Sequence, residues 1–95
     1  CLRRQELVVG GWTAPGGARR HFGSLLLGVH DGAGELRYAG RVGTGFDERS
    51  LADLARRMRS LARDDPPFVD PPRGADARDA HWIEPRLVVE VAFTE

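Results

Sequence analysis

The amino-acid sequence predicts a small, mainly β domain with one helix. Three observations support this class: apolar residues alternate with polar ones in three early segments, follow one helical stripe in the middle, and alternate again near the end. The predicted order is three meandering strands, a helix, a short strand and a last strand. This order matches the OB-fold, a five-stranded Greek-key barrel. An SH3-like barrel and an α+β sandwich are compatible with it. Because only four strands are clear, the sequence leaves open whether the barrel's closing strand lies within it.

The length and composition fit a single OB-fold domain over residues 1–95. The chain is 41% hydrophobic and 29% charged, as expected for a soluble globular protein rather than a disordered one. No apolar run approaches the roughly 20 residues of a membrane helix, and no signal peptide is recognisable. The single cysteine, Cys1, cannot form an internal disulfide. We therefore expect a monomeric, cytoplasmic domain with no membrane contact.

The first two predicted strands flank a loop rich in proline, glycine and arginine. Residues 5–12 alternate as a strand that ends or bulges at its glycine pair. Residues 23–30 form the second strand, and an Asp-Gly turn after it predicts a hairpin with the third. The loop between the first two strands carries Arg19 and Arg20, at a place where OB-folds often bind nucleic acid. A solvated loop is the simpler interpretation of the same residues.

In the third predicted strand the period of two separates a core face from an exposed face. Leu36, Tyr38 and Val42 are predicted to face the core, while Arg37 and Arg41 share the opposite face. The arginines are therefore expected to face solvent or a ligand.

A helix is predicted over residues 47–62, followed by a long loop and the last strands. Asp47 suits the N-cap, and Pro66-Pro67 stops the helix. Residues 64–80 predict an ordered or semi-ordered loop. Beyond it, 81–83 suggest a short strand and 86–94 a final strand with Val89, Val91 and Phe93 inward. The helix has one apolar stripe, made of Leu51, Leu54, Ala55, Met58, Leu61 and Ala62.

The end of the third strand combines cationic side chains with backbone N–H donors. Arg37 and Arg41 precede Gly43-Thr44-Gly45, which opens the predicted helix, and such an arrangement is a plausible seat for phosphate. Residues 1–45 hold six arginines against three acids, and residues 46–95 hold eight against eleven. A polyanion is thus attracted more to the first half. The alternative is that the arginines only solubilise the strand and the turn simply needs glycine.

Five sequence blocks resemble one known family, the C-terminal OB-fold domain of ATP-dependent DNA ligases, in particular the ligase module of bacterial ligase D of non-homologous end joining. The blocks are 4–13, 22–28, 38–46, 82–85 and 89–93, and they occur in the family's order. The most specific is Gly-Arg-Val-Gly-Thr-Gly-Phe within the third block.

The resemblance implies a parent enzyme that uses ATP and Mg²⁺ or Mn²⁺ to seal nicked duplex DNA through lysyl-AMP and DNA-adenylate intermediates. The lysine belongs to a nucleotidyltransferase domain that precedes the OB domain in this family. All fourteen basic residues here are arginine, so this chain supplies no such nucleophile. We expect the fragment to be inert alone, to bind no cofactor, and to act with that domain on DNA in the bacterial nucleoid.

The resemblance also implies which residues contact the DNA phosphates without reading sequence. Arg3 and Arg4 lie where the interdomain hinge would be. They either reach DNA or the partner domain, or merely flank a cut end of the chain. The full expected set is Arg41, Gly43, Thr44, Gly45, Arg37, Arg4, Arg3, Arg19 and Arg20. No catalytic residue and no metal site is expected, because the three histidines lack ligands at suitable spacing.

Two other functions fit the same sequence. One is a stand-alone OB-type module for single-stranded nucleic acid, in which Trp12 or Trp82 stacks on bases. A nicked duplex offers few unstacked bases, so packing is the favoured role of both tryptophans. The other is a protein-binding β-barrel that docks a repair complex.

Overall fold

A computed structural model describes residues 2–14, 23–43 and 48–94. The first half consists of three strands, and the second half interleaves two helices with two strands. The elements are β1 Leu2–Thr13, β2 Ser24–His30, β3 Leu36–Val42, α1 Glu48–Arg59, β4 Ala62–Arg63, α2 Ala75–Arg78 and β5 Ala80–Thr94.

All five strands form one antiparallel sheet in the order β3-β2-β1-β5-β4. The sheet curls into a half-barrel that carries one long helix, consistent with an OB-fold, and the predicted fold class is confirmed. Within the described residues β3 and β4 are the edges, and no pairing between them closes the barrel. No helix in the described ranges is long and apolar enough to cross a membrane.

The main core lies between the sheet and α1, on the side that we call the helix face. Alternate residues of the strands point to it, and the stripe of α1 packs against them as the helical spacing predicts. Leu54 and Leu61 are partly buried against this core. Its buried members are Val9, Leu25, Leu27, Ala55, Met58 and Ile83.

A second, smaller core lies on the opposite side of the sheet, which we call the loop face. Leu26 and Leu36 enclose the ring of Phe68, which is only 4% exposed. Phe68 belongs to the proline-rich segment after α1, so this predicted loop is ordered and crosses the outside of the sheet. Gly10 and Gly28 make room for the ring, because a Cβ at either position would lie within 2.6 Å of it.

The glycine pair of β1 marks a bulge, as the sequence predicts. Val9 pairs with Leu87 of β5, but Gly11 pairs with Trp82, so the register shifts at Gly10 on both sides of β1. The two predicted final strands are in fact one strand, β5. Pro85 does not end it, because it lies where β5 leaves the β1 ladder and no hydrogen bond to a partner strand is required of it.

The predicted helix is too long at its C-terminal end. Beyond Arg59 the chain makes a turn in which the Leu61 amide donates to the Met58 carbonyl at 3.0 Å. Ala62 then pairs with Ile83 of β5, so the residue predicted to close the apolar stripe is an exposed strand residue. Sheet pairing overrides helix propensity at this point. The predicted N-cap, Asp47, lies outside the described residues.

The predicted faces of β3 are wrong beyond Tyr38, because the strand contains a bulge at Ala39. Tyr38 pairs with Gly28 and Gly40 pairs with Leu27, which leaves Ala39 without an opposite residue. Gly40 has φ 145°, a conformation that favours glycine. The bulge inverts the alternation, since one extra residue exchanges the two sides of a strand. Leu36 and Tyr38 therefore pack on the loop face, whereas Val42 packs on the helix face.

Candidate nucleic-acid interface

Arg41 lies near the end of edge strand β3, on the loop face. Its register partner, Leu26, is fully buried, whereas Arg41 itself is exposed. Gly43 follows two residues later and is half-buried. A Cβ on Gly43 would lie 3.3 Å from the carbonyl oxygen of Gly23. Glycine thus lets the chain leave β3 close to the start of β2, next to an exposed guanidinium.

Arg37 lies on the other face from Arg41, which corrects the expectation that they share one. Its register partner is Val29, on the helix face. The Arg37 Nε donates to Asp31 Oδ2 at 2.9 Å, and its Nη1 lies 4.0 Å from Asp70 Oδ2. The hydrogen bond to Asp31 raises the pKa of Arg37, and the same bond lowers the pKa of Asp31. Arg37 is therefore held by two carboxylates of its own chain.

The Asp70 carboxylate also covers the outer edge of β3. Its Oδ1 accepts the Tyr38 amide at 2.9 Å, and the Val69 amide donates to the Leu36 carbonyl at 2.9 Å. Backbone groups that an edge strand would leave to solvent are thus bonded to the segment that carries Phe68.

Arg3 and Arg4 are exposed at the start of β1 and point to opposite faces, as alternation requires. Arg4 Nη1 lies 3.3 Å from Glu90 Oε1, and both side chains are more than half exposed. An ion pair so open to water contributes little to stability and competes weakly with an incoming phosphate. Four of the expected contacts, Thr44, Gly45, Arg19 and Arg20, lie outside the described residues.

A second cationic surface, which the sequence analysis missed, runs along α1. Residues 48–63 hold five arginines against two acids, whereas residues 64–79 hold two against five. Both blocks lie within residues 46–95, where their opposite net charges cancel. Only a window of about 16 residues shows the basic block along α1. Arg49, Arg56 and Arg59 line one hollow of about 690 Å³ beside the helix.

Two aromatic rings lie where β1 and β5 pair. Trp12 and His81 are register partners, and their rings stack with centroids 4.1 Å apart and planes 13° from parallel. Trp12 is half-buried against the helix-face core, and His81 is exposed. Trp82, on the other face, packs edge-on to Phe68 at 6.1 Å. Trp82 thus has the packing role expected of it, while Trp12 both packs and supports an exposed ring.

The described residues form no cluster of three histidine, cysteine, aspartate or glutamate side chains that could hold a metal ion. The sequence also contains no lysine. The residues present therefore do not fit an adenylation centre, because such a centre needs a lysine to accept AMP. What the described surface offers is guanidinium groups and an aromatic ring, which together suit a polyanion with planar bases.

Comparison with known proteins confirms the predicted resemblance. The family model for the "ATP dependent DNA ligase C terminal region" matches residues 18–95. The multifunctional non-homologous end joining protein LigD of Pseudomonas aeruginosa is 39% identical over 97 residues, covering 100% of this chain and 12% of that protein. The DNA repair protein LigD of Mycobacterium tuberculosis H37Rv is 46% identical over 92 residues, covering 96% and 12%. A DNA ligase of Methanothermobacter thermautotrophicus is 37% identical over 92 residues, covering 95% and 14%.

Solved structures agree with the sequence relatives. The ligase domain of M. tuberculosis LigD superposes with a TM-score of 0.87 at 42% identity, covering 99% of this chain and 30% of that one. A mycobacterial DNA ligase D complexed with ATP and MES superposes with a TM-score of 0.80 at 43% identity. The match covers 98% of this chain and 29% of that one. The chain thus corresponds to about an eighth of the curated relatives that it matches and to under a third of either solved chain.

Proposed function

Because the chain belongs to the family of C-terminal regions of ATP-dependent DNA ligases, we propose that it is the DNA-gripping OB domain of a ligase that seals strand breaks. The observation that carries this proposal is the family match over residues 18–95, joined to the 0.87 superposition on a ligase domain. The printed names of the bacterial relatives point to non-homologous end joining. We accordingly assign the chain to DNA repair in the bacterial nucleoid.

In this proposal the chemistry belongs to a nucleotidyltransferase domain of the same ligase, which uses ATP with Mg²⁺ or Mn²⁺. The catalytic lysine attacks the α-phosphorus of ATP and releases pyrophosphate. The AMP then passes from the lysine to the 5′-phosphate of the nick. The 3′-hydroxyl then attacks that phosphate, forms the phosphodiester bond and expels AMP. The share of this chain is to hold the duplex opposite the reacting ends, which lowers the entropic cost of aligning them.

Arg41 is the central phosphate contact in this proposal. It is exposed beside a strand end where Gly43 allows close approach, and a guanidinium suits phosphate. Arg3 and Arg4 contribute from the start of β1, and Thr44, Gly45, Arg19 and Arg20 complete the proposed set. Arg37 takes the smallest part, because Asp31 and Asp70 already compensate its charge.

A chimaera tests the proposal: this chain replaces the corresponding region of the M. tuberculosis LigD ligase domain, on which it superposes over 99% of its length. We expect the chimaera to seal nicked duplex DNA, and the chain alone to seal none. Arg41→Ala should weaken binding of nicked duplex and reduce the slope of log K against log salt by about one, independent of DNA sequence.

Arg78→Ala is the matched control, since Arg78 is an exposed arginine without an ion-pair partner in the described ranges and lies in the acidic segment. Equal salt slopes for wild type and Arg41→Ala would remove Arg41 from the interface. A folded chimaera without sealing activity would count against the ligase assignment. A chain that prefers single strands to nicked duplex would favour the stand-alone single-strand module instead.

A further inference from the structure

A groove on the helix side of the fold is not used by the duplex contacts proposed above. It begins beside α1, in the hollow of about 690 Å³ lined by Arg49, Arg56 and Arg59. It continues into a second hollow of about 420 Å³ that contains Trp12 and His81. Arg59 lines both hollows, so they adjoin at its side chain, and we call the pair the groove.

The α1 arm of the groove is cationic. Asp53 is the acid among the described residues that line this arm, and it is engaged by Arg56 at i+3 and by Arg57 at i+4, the latter at 3.3 Å. Arg49 and Arg59 have no ion-pair partner within the described part of the chain. With a rise of 1.5 Å per residue the two guanidinium-bearing positions are separated by about 15 Å along the helix, a distance that spans roughly two to three nucleotides of a single strand.

The other arm is aromatic. Trp12 supports the His81 ring from one side, and His81 is exposed, so the surface that it offers is its opposite side and edge. A ring held in this way is pre-organised for stacking, because Trp12 already restricts its rotation. Stacking on such a ring tolerates any base, since every base has a π-face.

The lining charges favour an anion. Among the described residues, four arginines and two aspartates line the two hollows, which gives a net charge of +2 from these groups. Of these arginines, Arg63 lies 3.5 Å from Glu84 and is partly compensated. A cationic track that leads to an exposed aromatic ring matches the chemistry of a single-stranded polynucleotide, in which phosphates alternate with bases. A paired duplex offers no free base to the ring.

We propose that this groove binds a short unpaired segment of a DNA strand next to the break, with a base stacked on His81 and phosphates held by Arg59 and Arg49. The position relative to the duplex contacts supports this. Trp12 pairs with Leu25, which pairs with Val42, the neighbour of Arg41. Two strand spacings, about 10 Å, separate Trp12 from Val42 at the end of the sheet where β1 and β3 terminate. Arg41 points to the loop face, so an unpaired strand from a duplex there passes around this end of the sheet to reach the ring on the helix face.

This inference rests on the proposed DNA-binding function, and its test separates the two. Nicked duplexes are prepared with and without a short oligothymidine flap at the nick, and their binding to the chimaera is measured. For the flapped DNA we expect His81→Ala to weaken binding about tenfold, in line with the loss of one stacked base. Arg59→Ala should reduce the salt slope on the flapped DNA by about 0.7. Both variants should change binding of the flush nick less than twofold, and Arg78→Ala should change neither DNA.

A direct measurement on the chain removes dependence on duplex binding. In an NMR titration with free oligothymidine, the Trp12 indole and His81 ring resonances should shift, while the Ala33 amide in the hairpin turn stays fixed. Resonance shifts at Trp12 and His81 without duplex binding would overturn the proposed function but support single-strand binding in the groove. Duplex binding with equal affinity for flapped and flush DNA, or with no shift at Trp12 and His81, would overturn the groove. Both substituted residues are exposed, and equal urea midpoints confirm that the variants are folded.

Discussion

Substituting Gly10 by alanine should expel Phe68 from the loop-face core. The added Cβ would lie 2.3 Å from Phe68 Cζ and 2.8 and 2.9 Å from its two Cε atoms. Carbon atoms pack at about 3.5 Å or more, so the ring must retreat by roughly 1.2 Å. Gly10 itself does not have a positive φ, and the clash with Phe68 is therefore the whole penalty.

The magnitude follows from what the ring loses. Overpacking costs about 1–3 kcal/mol, and complete exposure of a phenylalanine costs about 3 kcal/mol. We expect Gly10→Ala to lower the free energy of unfolding by about 2–3 kcal/mol. With a urea m-value of about 1.5 kcal/mol/M, the midpoint falls by roughly 1.5–2 M. Gly32→Ala is the control, because nothing lies within 4 Å of its Cβ, and it should shift the midpoint very little.

A double-mutant cycle tests the mechanism. Phe68→Ala alone should cost about 3–5 kcal/mol. In the Gly10→Ala/Phe68→Ala double variant the new methyl occupies space that the ring has left, so the double variant should be no less stable than Phe68→Ala. The single costs are then non-additive by about 2 kcal/mol. Additive costs, or a Gly10→Ala midpoint equal to that of Gly32→Ala, would show that a clash with Phe68 is not what destabilises the Gly10→Ala variant.

Two further predictions concern the Arg37–Asp31 hydrogen bond, which we call the acid-sensitive clamp, and the helix-face core. Because the hydrogen bond from Arg37 lowers the pKa of Asp31 below 3.8, the stabilisation is present above that value and is lost as pH falls through the lowered folded-state pKa. Asp31→Asn should therefore have a Tm that falls less than that of the wild type between pH 5 and pH 2.5, as measured by calorimetry; parallel curves would exclude the clamp. Met58, on the buried side of α1, is 1% exposed, so Met58→Ala should cost about 2–5 kcal/mol in urea denaturation, whereas Arg57→Ala on the exposed side of α1 should cost under about 1 kcal/mol.

Local patterns predicted most of the helices and strands, but not always which side of the sheet each strand residue faces. Alternation gave the three early strands and the bulge at the glycine pair, and the apolar stripe gave α1, because each depends on neighbours within a few residues. The same alternation predicted the wrong faces for the residues of β3 that follow the bulge at Ala39. A bulge is fixed by pairing with β2, and nothing in the period of two announces it.

Some features of the candidate site are likewise local in the sequence, and others depend on the fold. The sequence alone suggests Arg41 and Gly43 as phosphate contacts, because a strand, a turn and a positive charge are adjacent there, and this stays a prediction. The compensation of Arg37 by Asp70 and the stack of Trp12 on His81 were not predicted from the sequence, since these partners are 33 and 69 positions apart.

The fold class, the family and the absence of a lysine nucleophile all follow from residue identity and local residue order. The compensation of Arg37 by two carboxylates and the stack of Trp12 on His81 appear only in the folded chain. The physical reason is that charge compensation and stacking act over a few ångströms in space. Strand register, which couples residues distant in the chain, brings them within that range.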